Sequence, residues 1–318
     1  MHRGTIKVFG GTRGARLAGD ICELLRIPVG ERRLGRFGDG EVELEITENV
    51  RGHDVYIVNP TSAPAEDLIE TILLARTAAM SSADKVTLVI PYTGYNRQER
   101  KDRSRVPISA KIAIEMLKTS CADRVLLLDL HSAATAAHFE PEMVHDHLYA
   151  AKILIPYLKR SLKQPFIVAS PDAGGVVRAR KYAQHLEQDD FVIFDKMRKK
   201  PGVVEKGKIK IIGGVRNKDV LFVDDMIDSG GTLIADAEAA KEKGARDIYA
   251  AVTHAIFSKG TDVFPKGLFK EIIVTDSVCH GQSPHSSNVK ITTCSVAPLL
   301  ADAIIALNQN KSLGSLFL

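Results

Sequence analysis

The stretch Val220-Leu-Phe-Val-Asp-Asp-Met-Ile-Asp-Ser-Gly-Gly-Thr232 constrains this chain more than any other. Val220 to Val223 form an unbroken apolar run, the pattern of a parallel strand covered on both faces. Asp224 and Asp225 close that strand. Asp228 to Thr232 form a turn, and Leu233 to Lys243 read as a helix with Gly244 at its C′ position. A loop that feeds a helix N-terminus aims backbone N–H groups and the positive end of the helix dipole into one small volume, so it suits a phosphate. Gly230 and Gly231 let the backbone approach closely, while Ser229 and Thr232 add hydroxyl donors. The carboxylates of Asp224 and Asp225 can grip sugar hydroxyls or a hydrated metal ion. Phosphate at one end and hydroxyls at the other describe a ribose 5-phosphate.

Apolar runs alternate with helical patterns along the whole chain, which predicts α/β layers around mostly parallel sheets. Strands are expected at Ile6 to Phe9, Val55 to Val58, Val86 to Ile90, Val125 to Leu128, Phe166 to Ala169, Phe191 to Phe194, Ile209 to Ile212, Tyr249 to His254 and Ile272 to Thr275, with a first helix from about Ala15 to Leu25. Val42 to Ile46 alternates apolar and acidic residues, as a hairpin or edge strand does. At 318 residues the chain suggests two domains, divided as 1–148 and 149–318. Both halves have strands that end in Asp beside a glycine- or histidine-containing loop, a hint of duplication.

The four cysteines are scattered with no paired spacing, which fits reduced thiols and argues against a zinc site. Residues Met1 to Val8 have no signal-like apolar stretch, and no apolar run has the length of a membrane span. A cytoplasmic location is therefore expected, with no membrane partner. A net charge of +4 suits small anionic substrates and gives no reason to expect nucleic acid.

Several other stretches carry chemistry-bearing residues. Arg36-Phe-Gly-Asp-Gly-Glu41 is either a glycine-rich hairpin corner or an adenine site, with Phe37 stacking and Asp39 and Glu41 accepting hydrogen bonds. Arg97, Arg100, Lys101, Arg103 and Arg105 crowd a loop after a buried strand. Polyphosphate is their natural counterion, and a solvated basic loop is the alternative. His131 of Asp129-Leu-His131 sits at a strand's C-terminal edge, where it can ligate a metal, donate to phosphate or simply occupy a capped loop. Asp172, before Ala173-Gly-Gly175, ends a strand in the same way, and its oxygen ligands suit Mg²⁺. Lys196 to Lys210 is basic and broken by Pro201, Gly202 and Gly207. It reads as a solvated hairpin or as a lid that brings Lys196 and Arg198 over a reacting phosphate.

In this order, these motifs resemble the ribose-phosphate diphosphokinase (PRPP synthetase) family over nearly the full chain. Phosphoribosyltransferases share only the Val223 to Thr232 motif. The resemblance implies two phosphoribosyltransferase-like domains, each a mostly parallel sheet flanked by helices. It implies that ATP and ribose 5-phosphate are the substrates and that Mg²⁺ is the cofactor. Phe37, Asp39 and Glu41 would contact adenine across a subunit boundary, with Arg97, Gln98 and Asp102 bordering the nucleotide. His131 and Asp172 would hold Mg²⁺, and Asp224 and Asp225 the ribose hydroxyls. Asp228, Ser229, Gly230, Gly231 and Thr232 would cradle the 5-phosphate, with Lys196 and Arg198 catalytic. A homo-oligomer of dimers assembled into a hexamer is implied too.

Two segments depart from the family pattern. Ser132 to Ala137 puts small residues where a Gln-containing, glycine-terminated run is usual, and Gly314 stands where a serine is expected. Both border the family's phosphate/ADP regulatory site, so weakened or absent ADP inhibition is expected.

Overall fold

The computed structural model describes residues 4–196 and 209–317. The chain divides into two compact units. One comprises Met1–Ala150, Ser277–Gly281 and Val296–Leu318, and the other Ala151–Asp276 and Gln282–Ser295.

The first unit opens with β1 (Ile6–Gly10), α1 (Ala15–Leu25), β2 (Arg32–Arg36), β3 (Val42–Ile46) and β4 (Asp54–Val58). It continues with α2 (Glu66–Met80), β5 (Lys85–Ile90), α3 (Ser109–Lys118), β6 (Arg124–Leu128) and β7 (Val144–Leu148). Strands β1, β4, β5, β6 and β7 pair in that order, all parallel. β2 and β3 form a separate antiparallel ribbon. Every residue of β4 is buried, as its continuous apolar run requires of a strand covered on both faces. Phe9, Ile57, Leu88 and Leu127 come from four adjacent strands into one core with Leu74 and Ile114 of the helices.

The glycine-rich joint between β1 and α1 is closed on itself. Gly11 N–H donates to Val58 O at 3.1 Å, Thr12 N–H to Glu70 Oε2 at 2.8 Å and Gly14 N–H to Asn59 Oδ1 at 3.0 Å. A Cβ on Gly14 would lie 1.9 Å from Val58 O, so this glycine serves the close approach of loop and strand.

The second unit contains α4 (Ala151–Ser161), β8 (Phe166–Ser170), α5 (Val176–His185), β9 (Phe191–Lys196) and β10 (Ile209–Ile212). It continues with β11 (Asp219–Ile227), α6 (Gly231–Glu242), β12 (Ile248–Ala255), β13 (Glu271–Thr275) and β14 (Lys290–Cys294). The sheet order is β10-β9-β8-β11-β12-β13-β14, with β10 antiparallel to β9 and the other pairs parallel. Helix α5 links β8 to β9 on one side, and α6 links β11 to β12 on the other. The neighbours β8 and β11 therefore flank a topological switch point, where open α/β sheets bind ligands beyond the strands' carboxyl ends.

The last helix, α7 (Ala297–Asn308), belongs to the first unit and packs on α1. Tyr56 Oη donates to Ile304 O at 3.4 Å, and Asn308 Nδ2 donates to Gly4 O at 3.0 Å and Asp54 Oδ2 at 2.7 Å. A single division into 1–148 and 149–318 does not anticipate this return. Its cause is an apolar helix whose buried residues, among them Leu299, Leu300 and Ile304, need a core to enter.

Candidate active site

Asp224 and Asp225 sit within β11, which continues to Ile227 rather than stopping at Val223. β12 pairs with β11 as far as Ile227, but β8 pairs only from Asp219 to Phe222. The two carboxylates thus stand beyond the end of β8 on a strand still held from its other side. Asp225 is buried, whereas the Asp224 side chain keeps 26% of its exposure. Asp225 N–H donates to Asp224 Oδ1 at 2.9 Å. Arg178 Nη1 lies 3.2 Å from Asp224 Oδ1 and 3.3 Å from Asp225 Oδ1. Burial, followed by the charge of Asp225, pushes the Asp224 pKa well above the usual carboxylate range. Arg178 opposes the rise and Asp172 adds to it.

Past Ile227 the chain turns through Asp228 and Ser229 to Gly230, which has φ 76° and occupies the N-cap position of α6. As a glycine, Gly230 has no side chain with which to cap this helix. Its first-turn N–H groups adjoin the turn beside the aspartate pair, an arrangement that attracts an anion. A Cβ on Gly230 would stand 3.0 Å from Phe264, whose buried ring is packed edge-on against Phe257 and Phe269. The turn is therefore backed by a rigid aromatic wall.

Asp172 lies in the short loop between β8 and α5, and its Oδ1 accepts Gly175 N–H at 2.9 Å. Lys196 is the last residue of β9, next to β8 and at the same carboxyl edge of the sheet. Arg198 and most of the expected lid lie outside the described residues. The second unit thus brings Asp172, Asp224, Asp225 and the 228–232 turn to one sheet edge, with the backbone of Lys196 on the same edge.

In the first unit, Arg97, Gln98 and Asp102 follow β5, and His131 follows β6, at the carboxyl edge of two adjacent strands. Gln98 Oε1 accepts Ser109 Oγ at 2.8 Å, and Gln98 O accepts Ala110 N–H at 3.3 Å, tying this basic loop to α3. His131 is exposed. Asp129, at φ 38°, accepts Ala150 N–H at 3.0 Å, and His147 Nε2 accepts Leu130 N–H at 2.9 Å, so both residues before His131 are fixed. Phe37, Asp39 and Glu41 occupy the tip between β2 and β3. There Phe37 N–H donates to Glu41 O at 2.9 Å, and Glu41 N–H to Asp39 Oδ1 at 3.1 Å. Phe37 is 52% exposed and borders a groove of about 460 Å³ that is also lined by Val42, Leu44 and Leu73. The hairpin tip is not part of the five-stranded sheet edge that carries Arg97 and His131.

Sequence reasoning missed Arg178 and Glu70. A cation in the first turn of a helix opposes the dipole unless carboxylates neutralise it, which is the signal that could have identified Arg178. Glu70 is fully buried and accepts Thr12 N–H, Thr12 Oγ1 at 2.9 Å and Arg36 Nη2 at 2.7 Å, locking the base of the hairpin tip to α2.

Among the described residues, no group of three His, Cys, Asp or Glu side chains is placed to hold a metal. Mg²⁺ does not need one: it binds through one or two carboxylates plus substrate phosphates and water, and a carboxylate such as Asp172 fits that chemistry. No helix among the described residues is long and apolar enough to cross a membrane.

Residues 6–120 match the N-terminal domain of ribose phosphate pyrophosphokinase, and residues 184–318 match the phosphoribosyl synthetase-associated domain. The ribose-phosphate pyrophosphokinase of Haemophilus ducreyi is 41% identical over 317 residues, spanning 98% of each chain. That of Rhizobium meliloti is 41% identical over 319 residues, spanning 98% of this chain and all of its own. The crystal structure of phosphoribosylpyrophosphate synthetase from Mycobacterium smegmatis superimposes with a TM-score of 0.87 at 30% identity, covering 96% of this chain and 99% of its own.

Proposed function

The chain belongs to the ribose-phosphate pyrophosphokinase family and is an enzyme of that class. From that premise we propose that it transfers the β,γ-diphosphoryl group of ATP to the C1 hydroxyl of ribose 5-phosphate, giving AMP and 5-phosphoribosyl 1-diphosphate. The observation that carries this reading is the aspartate pair beside the glycine-led N-terminus of α6. It offers acceptors for two sugar hydroxyls and donors for a phosphate within a few residues of one strand.

The turn from Asp228 to Thr232 takes the 5-phosphate, with Ser229 and Thr232 adding hydroxyl donors. Asp224 and Asp225 accept hydrogen bonds from the ribose hydroxyls and orient the anomeric oxygen for in-line attack on the β-phosphorus. Arg97, Gln98 and Asp102 border the nucleotide, and Phe37, Asp39 and Glu41 receive adenine from a neighbouring subunit of a homo-oligomer. Such a reaction needs positioning and charge neutralisation more than covalent help. Lys196 and Arg198 supply positive charge to the transferring group. His131 and Asp172 are the residues that would hold Mg²⁺, which would supply Lewis-acid neutralisation of phosphate charge when bound. The proposed setting is the cytoplasm.

Regulation is the finer part of the proposal. Residues Ala133–His138 form a short 3₁₀ helix in which only Thr135 and His138 have polar side chains, and Gly314 begins another. The small residues at 133–137 and Gly314 offer an anion no side-chain donors of their own apart from Thr135, so ADP inhibition through a separate site should be weakened or absent.

The deciding experiment is release of AMP by the purified full chain, dependent on ribose 5-phosphate and Mg²⁺. Pyrophosphate release that depends on a nucleobase would instead favour a phosphoribosyltransferase. Saturable ADP inhibition that ATP does not relieve would overturn the regulatory reading alone.

A further inference from the structure

Two adjacent acids on one strand present a physical problem. Side chains at consecutive strand positions point to opposite faces. Here, nevertheless, Asp224 Oδ1 and Asp225 Oδ1 both lie within 3.3 Å of the same guanidinium nitrogen of Arg178. Arg178 is mostly buried, its side chain 22% exposed, and it projects from the first turn of α5. That location is unfavourable for a cation, because the N-terminus of a helix carries partial positive charge. No acid in that turn offsets it. The residue is accommodated because two carboxylates from another element meet it.

Without that cation, no common partner among these contacts draws two carboxylates from consecutive strand positions to one point, and the pair would lose its common orientation. A vicinal diol donates two hydroxyl protons and needs two acceptors. Acceptor geometry at β11 is therefore set by a residue on α5.

We propose that Arg178 is the positioning residue for ribose recognition: it gathers Asp224 and Asp225 into a matched pair of hydrogen-bond acceptors for the substrate's vicinal hydroxyls. This rests on the aspartate pair being the sugar site. Arg178 acts through the carboxylates and does not touch the reacting phosphorus. The same loop connects the pair to the metal-binding edge. Asp172 accepts Gly175 N–H, and a Cβ on Gly175 would lie 3.9 Å from Arg178 Nη1. Movement of α5 would thus shift the sugar acceptors and the Asp172 loop together.

The test compares wild type, Arg178→Gln and Arg178→Lys as full-length proteins. KM for ribose 5-phosphate, KM for ATP and kcat are measured at saturating Mg²⁺, with thermal melting as a folding control. Removing one member of a buried charge cluster should raise KM for ribose 5-phosphate by about tenfold or more. KM for ATP should stay near the wild-type value, and kcat should fall less than KM rises. Arg178→Lys keeps the charge without the planar fork, and should lie between wild type and Arg178→Gln. Three results would overturn the inference: an unchanged KM for ribose 5-phosphate in Arg178→Gln, a loss confined to kcat, or a lysine variant no better than glutamine. If wild type itself consumes no ribose 5-phosphate, the diphosphokinase reading fails, which is distinct from a normal KM in the variant of an active enzyme.

Discussion

Replacing Gly230 with alanine probes the phosphate turn where its geometry is tightest. Gly230 holds φ at 76°, and placing a side chain in left-handed backbone costs ~1–2 kcal/mol. The new Cβ would also stand 3.0 Å from Cε1 and Cζ of Phe264. That ring is fully buried, with Phe257 at 6.0 Å and Phe269 at 5.7 Å between centroids, both edge-on. It cannot retreat without disturbing two neighbours, so crowding adds ~1–3 kcal/mol. Together the two effects disfavour the native turn by about 2–5 kcal/mol. A ligand that binds only the native turn loses affinity in proportion to the turn's population. At ~1.4 kcal/mol per tenfold, even the lower end corresponds to more than about tenfold weaker binding where the turn has little stability in reserve. Calorimetric titration of ribose 5-phosphate into Gly230→Ala, Phe264→Leu and the double variant separates the contributions. The double variant should bind better than Gly230→Ala alone, because loss of the ring edge relieves crowding and leaves only the backbone cost. Wild-type affinity in Gly230→Ala, or a double variant with purely additive losses, would refute the claim that this turn is pinned against Phe264.

Other perturbations follow from the same geometry. Asp67 is buried and its pKa is pushed up to about 6, chiefly by burial, with Arg13 at 3.0 Å opposing the rise. A carboxyl raised on folding binds more protons in the native state, so stability should fall as pH rises from 3.8 towards about 6, and Asp67→Asn should remove that slope in thermal melts. Arg36→Met removes the ion-pair partner of the buried Glu70 carboxylate and leaves only the more distant charge of Arg32, and should cost on the order of 3 kcal/mol in denaturation, partly recovered by adding Glu70→Gln. Lys196→Ala should keep ribose 5-phosphate affinity while turnover drops by on the order of 10²–10³, and a normal kcat would exclude its catalytic role.

Much of this was legible in the residues, for identifiable reasons. Central strands such as Val86 to Ile90 are covered on both faces, so they read as apolar runs. Helix α1 falls at Ala15–Leu25, the span its periodicity predicts. The strands that escaped notice are β2, β7 and β14, with sequences RRLGR, VHDHL and KITTC. β7 and β14 are edge strands, and β2 lies in an isolated ribbon, so none needs the apolar run that marks a buried strand. The extension of β11 through Asp224 was hidden because acids are poor strand formers, and pairing with β12 overrides that preference. Arg178 was silent because the sequence places it 46 residues from its partner Asp224, and only the fold closes that distance.

The return of α7 to the first unit affects how the protein is made. Residues 1–150 are synthesised before the second unit, yet the cover for one side of α1, and the Ile304 carbonyl that receives the Tyr56 hydroxyl, belong to a helix synthesised after it. At ~5–20 residues per second, the intervening second unit occupies the ribosome for roughly ten to thirty seconds. During that interval the nascent N-terminal half carries an unfinished apolar surface. That surface stays open until α7 has emerged behind the whole of the second unit.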